Sequence, residues 1–421
     1  MKNSGIEWIG EIPDDWNLIR FKDICVNCKE IAGARSSLFD RLALTLNGVI
    51  RRDKDDSDGL QPKEFDGYQI IYENDFIFKM IDLQNISTSR VGLSPYTGLV
   101  SPAYIRFSPR KKEQYTLFVY YFLMSLYYNC VYNNLGGNGV RSALNATDMG
   151  QLLIPFPSID TQIHIVSMIE NRCAAVDRLI ENQRAQIEKL KEYKQSVITE
   201  AVTRGLDPSA PLKDSGIEWL GKIPMSWKTT RIKYACIFNP IYSHFNQCDS
   251  VGYVPMECVK NGYMENREIS INEISSGLTC FADGDIIMAK VTPCFENGNI
   301  AIASNLKNGI GYGSSELFVF RSTNICTKFL FYFLRNNLFI EYAKATMTGT
   351  GGLKRVSPTF IKSLKFAYPC EEEQQQIADY LDKKCAEIDK LISIKQQKIE
   401  TLTEYKKSLI YEYVTGKKQV G

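Results

Sequence analysis

From Ile159 to Thr203 the chain contains no proline and no glycine, and its apolar positions recur in alternating steps of four and three: Val176, Ile180, Ile187, Leu190, Val197 and Ala201. Gln183 and Lys194 are the polar interruptions. A second segment repeats the pattern as Ile388, Ile392, Ile399, Leu402, Leu409 and Tyr413, and its interruptions, Lys395 and Lys406, fall at the same two positions. Such steps, held over about three heptads or more, predict a coiled-coil seam. Polar residues at shared seam positions fix register or partner choice at some cost in stability. Gly205 and Pro208 end the first helix and Gly416 ends the second. About 44 helical residues at 1.5 Å each give a rod of roughly 65 Å. A narrow seam suits rod-on-rod packing better than burial of a broad stripe. The rods are therefore expected to pack on each other through Val176, Ile180, Ile187, Leu190, Ile388, Ile392, Ile399 and Leu402.

Between these rods the pattern changes. Over residues 17–157 and 228–369 turn signals and short β-like runs dominate, among them Tyr68–Tyr72, Phe76–Phe78, Ile286–Met288 and Leu317–Phe320. Each stretch also holds one helix-like aromatic segment, 116–128 and 327–343. The expected class is α+β, or mixed α/β. Each stretch then carries a Gly-rich loop with basic residues, Gly136–Arg141 and Gly349–Arg355. An apolar strand-like run follows each loop and ends in aromatic-Pro (Phe156-Pro157, Tyr368-Pro369).

The chain is written twice. Ser4-Gly5-Ile6-Glu7-Trp8-Ile9-Gly10-Glu11-Ile12-Pro13 recurs roughly 211 residues on, from Ser215 to Pro224, and Trp16 recurs as Trp227. Cys173–Ile180 matches Cys385–Ile392, and Glu192-Tyr193-Lys194 matches Glu404-Tyr405-Lys406. Between the matched ends only islands agree, such as Asp75-Phe76-Ile77 with Asp285-Ile286-Ile287. Similar frames around dissimilar middles fit two halves that do one job on different targets. The expected divisions are 1–157, 158–205, 206–369 and 370–421, globular segments alternating with long helices.

Bulk properties narrow the field. The 421 residues carry a net charge of +2, so any nucleic-acid contact must come from local basic patches. Twelve cysteines without a regular framework read as reduced thiols in a cytoplasmic setting. No apolar stretch follows Lys2, which argues against a signal peptide, and the aromatic run Tyr115–Tyr128 is too short for a membrane span.

Catalytic motifs fail at named residues. Gly216–Lys222 has P-loop spacing, but Ile223 stands where Ser or Thr must hold magnesium. Asn239-Pro240-Ile241-Tyr242 approaches a methyltransferase motif but lacks a Gly-rich cofactor loop before it, and reads as a turn. Glu192-x-Lys194 echoes a nuclease motif, yet it sits in the coiled-coil helix with no acidic partner on a nearby strand. Cys25-Val26-Asn27-Cys28 is a lone pair where zinc needs four ligands, and only His164 and His244 exist for general-base chemistry. The expectation is a non-catalytic chain with no metal site.

The Gly-Ile-Glu-Trp-x-Gly-x-Ile-Pro-x-x-Trp opening, the variable middle, and a long helix with Glu-Tyr-Lys near its end resemble the specificity subunits of Type I restriction-modification enzymes, over essentially the whole chain. One departure is Ile159-Asp160-Thr161-Gln162, where the second copy has the acidic-Gln pattern Glu373-Gln374-Gln375. The resemblance implies two target recognition domains joined by two antiparallel coiled-coil helices with pseudo-twofold symmetry. Each domain would read one half of a bipartite, asymmetric site on double-stranded DNA. The helices would set half-site spacing, their length being close to two DNA turns of about 34 Å, and would dock two methyltransferase subunits. A restriction subunit could join. S-adenosylmethionine, ATP and magnesium would be bound by these partners and not by this chain. Glycines let a backbone approach phosphate, and Arg can bind phosphate or a guanine edge bidentately. The candidate DNA contacts are therefore Arg141, Lys354 and Arg355, with Asn138 and Thr350 as donors to phosphate and Lys79 and Lys290 after the matched strands. The alternatives are a specificity chain whose partner is a fused nuclease-methyltransferase, a coiled-coil scaffold without DNA contact, and a self-sufficient enzyme.

Overall fold

The computed structural model describes residues 1–46, 48–53, 64–81, 83, 90–111, 115–135, 143–241, 249–350 and 352–419. Five helices organise the chain: α1 (Thr116–Tyr128), α2 (Ile159–Arg204), α3 (Thr327–Phe333), α4 (Asn337–Ala345) and α5 (Glu371–Val414). Two compact units form, one from Met1–Gln183 with Gln397–Gly421 and the other from Arg184–Gln396. Each unit therefore owns half of each long helix. Among the described residues no helix is long and apolar enough to cross a membrane.

The first unit holds two four-stranded sheets. One has the order Gly48–Arg52, Arg41–Thr45, Gly98–Val100, Gln69–Ile71, with Arg41–Thr45 parallel to Gly98–Val100 and the other pairings antiparallel. The other is wholly antiparallel: Cys25–Cys28, Ile105–Pro109, Phe76–Phe78, Val91–Leu93. A ribbon pairs Asn17–Arg20 with Leu153–Phe156. In the second unit the corresponding orders are Arg267–Ser270, Ser250–Val254, Ile310–Gly313, Thr279–Ala282 and Cys236–Phe238, Leu317–Ser322, Ile286–Ala289, Ile300–Ile302. Strand directions match one for one, including the single parallel pair Ser250–Val254 with Ile310–Gly313. The ribbon recurs as Lys228–Arg231 with Lys365–Tyr368. The dissimilar middles are thus one α+β fold.

The matched island at Asp75 and Asp285 has a structural cause. Asp75 is fully buried, and its Oδ2 accepts from Arg106 Nε at 2.7 Å and from the Tyr72 backbone N–H at 2.8 Å. Asp285 repeats the turn by accepting from the Ala282 N–H at 2.8 Å and pairs with Arg321 at 2.8 and 2.9 Å.

The repeated frames seat the globular part of each unit on the end of a long helix. Trp227 is fully buried against Phe329, and its indole N–H donates to Glu373 of α5 at 3.0 Å. Trp16 packs edge-on against Phe118 of α1. Tyr411 of α5 donates to the Trp8 carbonyl at 2.9 Å, and Lys417 donates to the Ile9 carbonyl at 2.5 Å. Gly416 turns away with φ 73°, so close to Pro13 that a Cβ would lie 2.3 Å from its Cδ. Only glycine fits there, which explains the breaker at this helix end.

Within each unit the helix halves run antiparallel. Lys406 meets Asp177 at 2.7 Å in the first unit, where Arg172 lies over Tyr413. Lys194 meets Asp389 at 2.7 Å in the second, where Lys395 donates to Gln186. The polar seam residues thus fix the register, as their shared positions predict. Val176, Ile180, Ile187, Ile388 and Ile399 are buried. Leu190, Ile392 and Leu402 are only half-buried, because a seam between two helices alone covers one side of each. Nearer the helix starts, Ile165 and Ile169 of α2 and Ile377 and Leu381 of α5 enter the cores of the globular parts. The rods are therefore coiled coil along part of their length and domain helix at the start, which the narrow seam did not announce.

The segment 327–343 is not one helix. It breaks between α3 and α4, where the Asn336 side chain accepts from the Phe339 N–H at 2.9 Å and donates to the Phe333 carbonyl. This is an N-cap, and it starts a new helix in the middle of an apolar run.

The carboxylates of the two Lys–Asp contacts are half-exposed, and pairs of that kind contribute about 0–1 kcal/mol. Lys194→Met with Lys406→Met should accordingly change stability by less than about 1 kcal/mol per site in thermal melts. A loss of several kcal/mol would contradict the small weight that their exposure gives these pairs.

Candidate nucleic-acid interface

In the second unit the structure brings four of the candidate residues to one hairpin and its base. Thr348–Thr350 and Leu353–Arg355 form a hairpin whose Thr350, Lys354 and Arg355 are exposed. Gly349 has φ 146°, and a Cβ on it would sit 2.3 Å from the Leu353 carbonyl oxygen, so the strands approach through glycine.

The hairpin is anchored on a segment about sixty residues earlier in the chain. The Val356 N–H donates to the Lys290 carbonyl, the Thr292 N–H to the Lys354 carbonyl and the Lys354 N–H to Thr292 Oγ1, each at 2.9 Å. Thr292 Oγ1 donates to the Gly352 carbonyl at 2.6 Å. The loop is therefore held from its base by the segment that follows the strand Ile286–Ala289.

Lys290 stands at that base. Its ammonium donates to the Ser315 carbonyl at 2.7 Å and lies 5.7 Å from the centre of the Phe318 ring. Arg355 pairs with Glu316 through two bonds, Nε to Oε2 at 2.9 Å and Nη2 to Oε1 at 3.1 Å. These bonds hold the Glu316 carboxyl below the usual carboxylate range and raise Arg355. Two cations, Arg355 and Lys290, thus act on one carboxylate, and Lys354 is exposed on the same hairpin. The patch is locally positive on a chain with a net charge of only +2.

In the first unit the corresponding loop, with Asn138 and Arg141, lies outside the described residues. Lys79 is described and half-buried. The hydrogen-bond pattern places it one step before the position equivalent to Lys290. Leu144 N–H to Met80 O corresponds to Val356 N–H to Lys290 O, and Lys79 N–H to Arg90 O corresponds to Ala289 N–H to Asn299 O. Met80, which is buried, takes the place of Lys290, and Lys79 takes that of Ala289. Side chains alternate along a strand, so this single step turns the two lysines to opposite faces.

Thr292 and Glu316 escaped the sequence reading. Both lie beside strands, and their partners are distant in sequence, so no local pattern marks them. The motifs judged empty occupy structural roles. Asn239 is a left-handed turn residue whose Oδ1 accepts from the Val319 N–H at 2.9 Å. Trp219, inside the P-loop look-alike, stacks on Tyr342. Cys25 is buried, and burial pushes its thiol pKa up. Among the described residues no three His, Cys, Asp or Glu side chains are placed to hold a metal ion.

The family model described as the Type I restriction modification DNA specificity domain matches residues 13–189 and 243–404. The Type I restriction enzyme EcoAI specificity subunit of Escherichia coli is 34% identical over 161 residues, 37% of this chain and 27% of that protein. The chain therefore spans only about a quarter of the length of that relative. The putative type I restriction enzyme MjaX specificity subunit of Methanocaldococcus jannaschii is 25% identical over 437 residues, covering 98% of this chain and 96% of that one. A chain in a solved structure concerning complex assembly and conformational transition of the type I R-M system shares the fold, with a TM-score of 0.67 at 15% identity, over 96% of this chain and 98% of that chain.

Proposed function

The chain belongs to the family defined by the Type I restriction modification DNA specificity domain, and from this we propose that it is the DNA sequence-specificity subunit of a Type I restriction-modification complex. Each unit reads one half of a bipartite, asymmetric site on double-stranded DNA. The long helices set the half-site spacing and dock the methyltransferase subunits, two in number, and a restriction subunit completes the complex. S-adenosylmethionine, ATP and magnesium belong to those partners, and this chain supplies no catalytic group. The observation that carries the reading is the repetition of one strand order and one set of strand directions in two units whose sequences differ. A shared scaffold with unlike surfaces suits two different half-sites.

In the second unit the reading rests on the anchored basic hairpin. Each lysine or arginine that neutralises a phosphate contributes about 0.9 to the slope of log binding constant against log salt. The double variant Lys354→Ala, Arg355→Ala, in complex with the methyltransferase, should flatten that slope by about one to two and weaken binding at least roughly ten-fold. Its melting temperature should hold, because both side chains are exposed. An unchanged slope and affinity would remove the hairpin from the interface.

A further inference from the structure

We propose that Glu316 is a positioning residue that fixes how Arg355 meets DNA, so that the Glu316–Arg355 pair is a specificity element of the second unit. This rests on the reading of the Thr348–Arg355 hairpin as a DNA contact.

Three observations lead there. The pair is a fork: two N–H···O bonds, at 2.9 and 3.1 Å, hold the Nε and Nη2 edge of the guanidinium. Among the described residues Nη1 makes no hydrogen bond, so one edge of the fork stays free. The pair is also partly exposed, with the arginine 47% and the glutamate 27% accessible. Exposed pairs contribute little to folding, so stability does not account for its geometry.

The carboxylate is itself held by the sheet. Glu316 immediately precedes the strand Leu317–Ser322. Its N–H donates to Ser314 Oγ at 3.1 Å and its carbonyl accepts the Lys290 N–H at 3.0 Å. The preceding carbonyl, of Ser315, receives the Lys290 ammonium. The turn Ser314–Glu316 is thus a platform that orients two of the candidate cations at once.

The chemistry follows from comparing a held arginine with a free one. A free arginine samples many rotamers and pairs with any phosphate it meets. An arginine pinned along one edge offers the remaining donors in one direction, and its charge is largely offset by the carboxylate. Directional donors select a base edge or one phosphate position, whereas an unpaired charge attracts all of them. Glu316 therefore raises discrimination and lowers indiscriminate binding.

The test is Glu316→Gln in the full chain, purified with its methyltransferase subunit. Binding is measured across salt on a duplex with the methylated motif and on one without it. The expected result is tighter binding to the duplex lacking the motif, several-fold, with a salt slope steeper by about one. The ratio of specific to non-specific affinity should fall roughly ten-fold. Glu316→Asp, which keeps the charge, should retain weak non-specific binding. A residue with a merely structural role would weaken both duplexes together and lower the melting temperature, and that outcome overturns the proposal. Arg355→Ala separates the two levels of inference. If it weakens specific binding while Glu316→Gln behaves as the parent, the positioning role is wrong and the DNA-contact reading stands. If Arg355→Ala changes neither duplex, the reading beneath it fails as well.

Discussion

Replacing Arg106 with leucine is expected to destabilise the first unit by about 3–5 kcal/mol. Arg106 lies on the strand Ile105–Pro109 with its side chain 6% accessible, and Asp75 is wholly buried beside it. The guanidinium binds the Asp75 carboxylate at 2.7 Å and donates to the Ile70 carbonyl at 2.8 Å, while it lies over the Tyr72 ring. Leucine would leave a buried carboxylate facing only the Tyr72 N–H. A charge stranded in this way costs far more than the intact pair contributes, because the penalty is the desolvation of the survivor. Adding Asp75→Asn to Arg106→Leu should therefore recover a large part of the loss, and a double-mutant cycle by calorimetry would measure the coupling. The counterpart Arg321→Leu should likewise destabilise the second unit, because the carboxylate it would strand, Asp285, is only 2% accessible. A negligible loss at either site would contradict the burial argument.

This pair also illustrates what could be read from residue order alone. Asp75-Phe76-Ile77 and Asp285-Ile286-Ile287 were visible as an island of agreement, but Arg106 and Arg321 were not, since their partners lie more than thirty residues away. The helical seam was legible because heptad periodicity is local. The frames were legible because they repeat. The common topology of the middles was not, because parallel pairing of Arg41–Thr45 with Gly98–Val100 depends on a crossover that leaves no local signature. The break between α3 and α4 carried one readable mark, the N-cap residue Asn336, hidden inside an apolar run.

The candidate site divides in the same way. Basic residues in a Gly-rich loop pointed to Lys354 and Arg355, and the fold places Lys290 at the base of their hairpin. Lys79 and Lys290 both follow the matched strands, but they stand one residue apart in the common pattern, which reverses a side chain on a strand. Glu316 could be found only in three dimensions, since its role depends on a contact 39 residues along the chain.

The largest functional effect belongs to the first unit. Because both units share one scaffold, residues 17–157 should be exchangeable between specificity chains without disturbing the long helices or the second unit. Such an exchange should replace one half of the methylated sequence completely and leave the other half unchanged. The buried frame residues Ile9, Ile12 and Trp16 and the helix residues Ile165 and Ile169 that meet this segment must remain complementary to it, so the donor should carry the same frame motif.

The most direct measurement is methylome sequencing of one host strain carrying the methyltransferase with the parent chain, with the 17–157 exchange, or with no specificity chain. The account predicts a bipartite methylated motif with the parent chain, a motif altered in one half only with the exchange, and no motif without the chain. An identical motif in all three strains would contradict it.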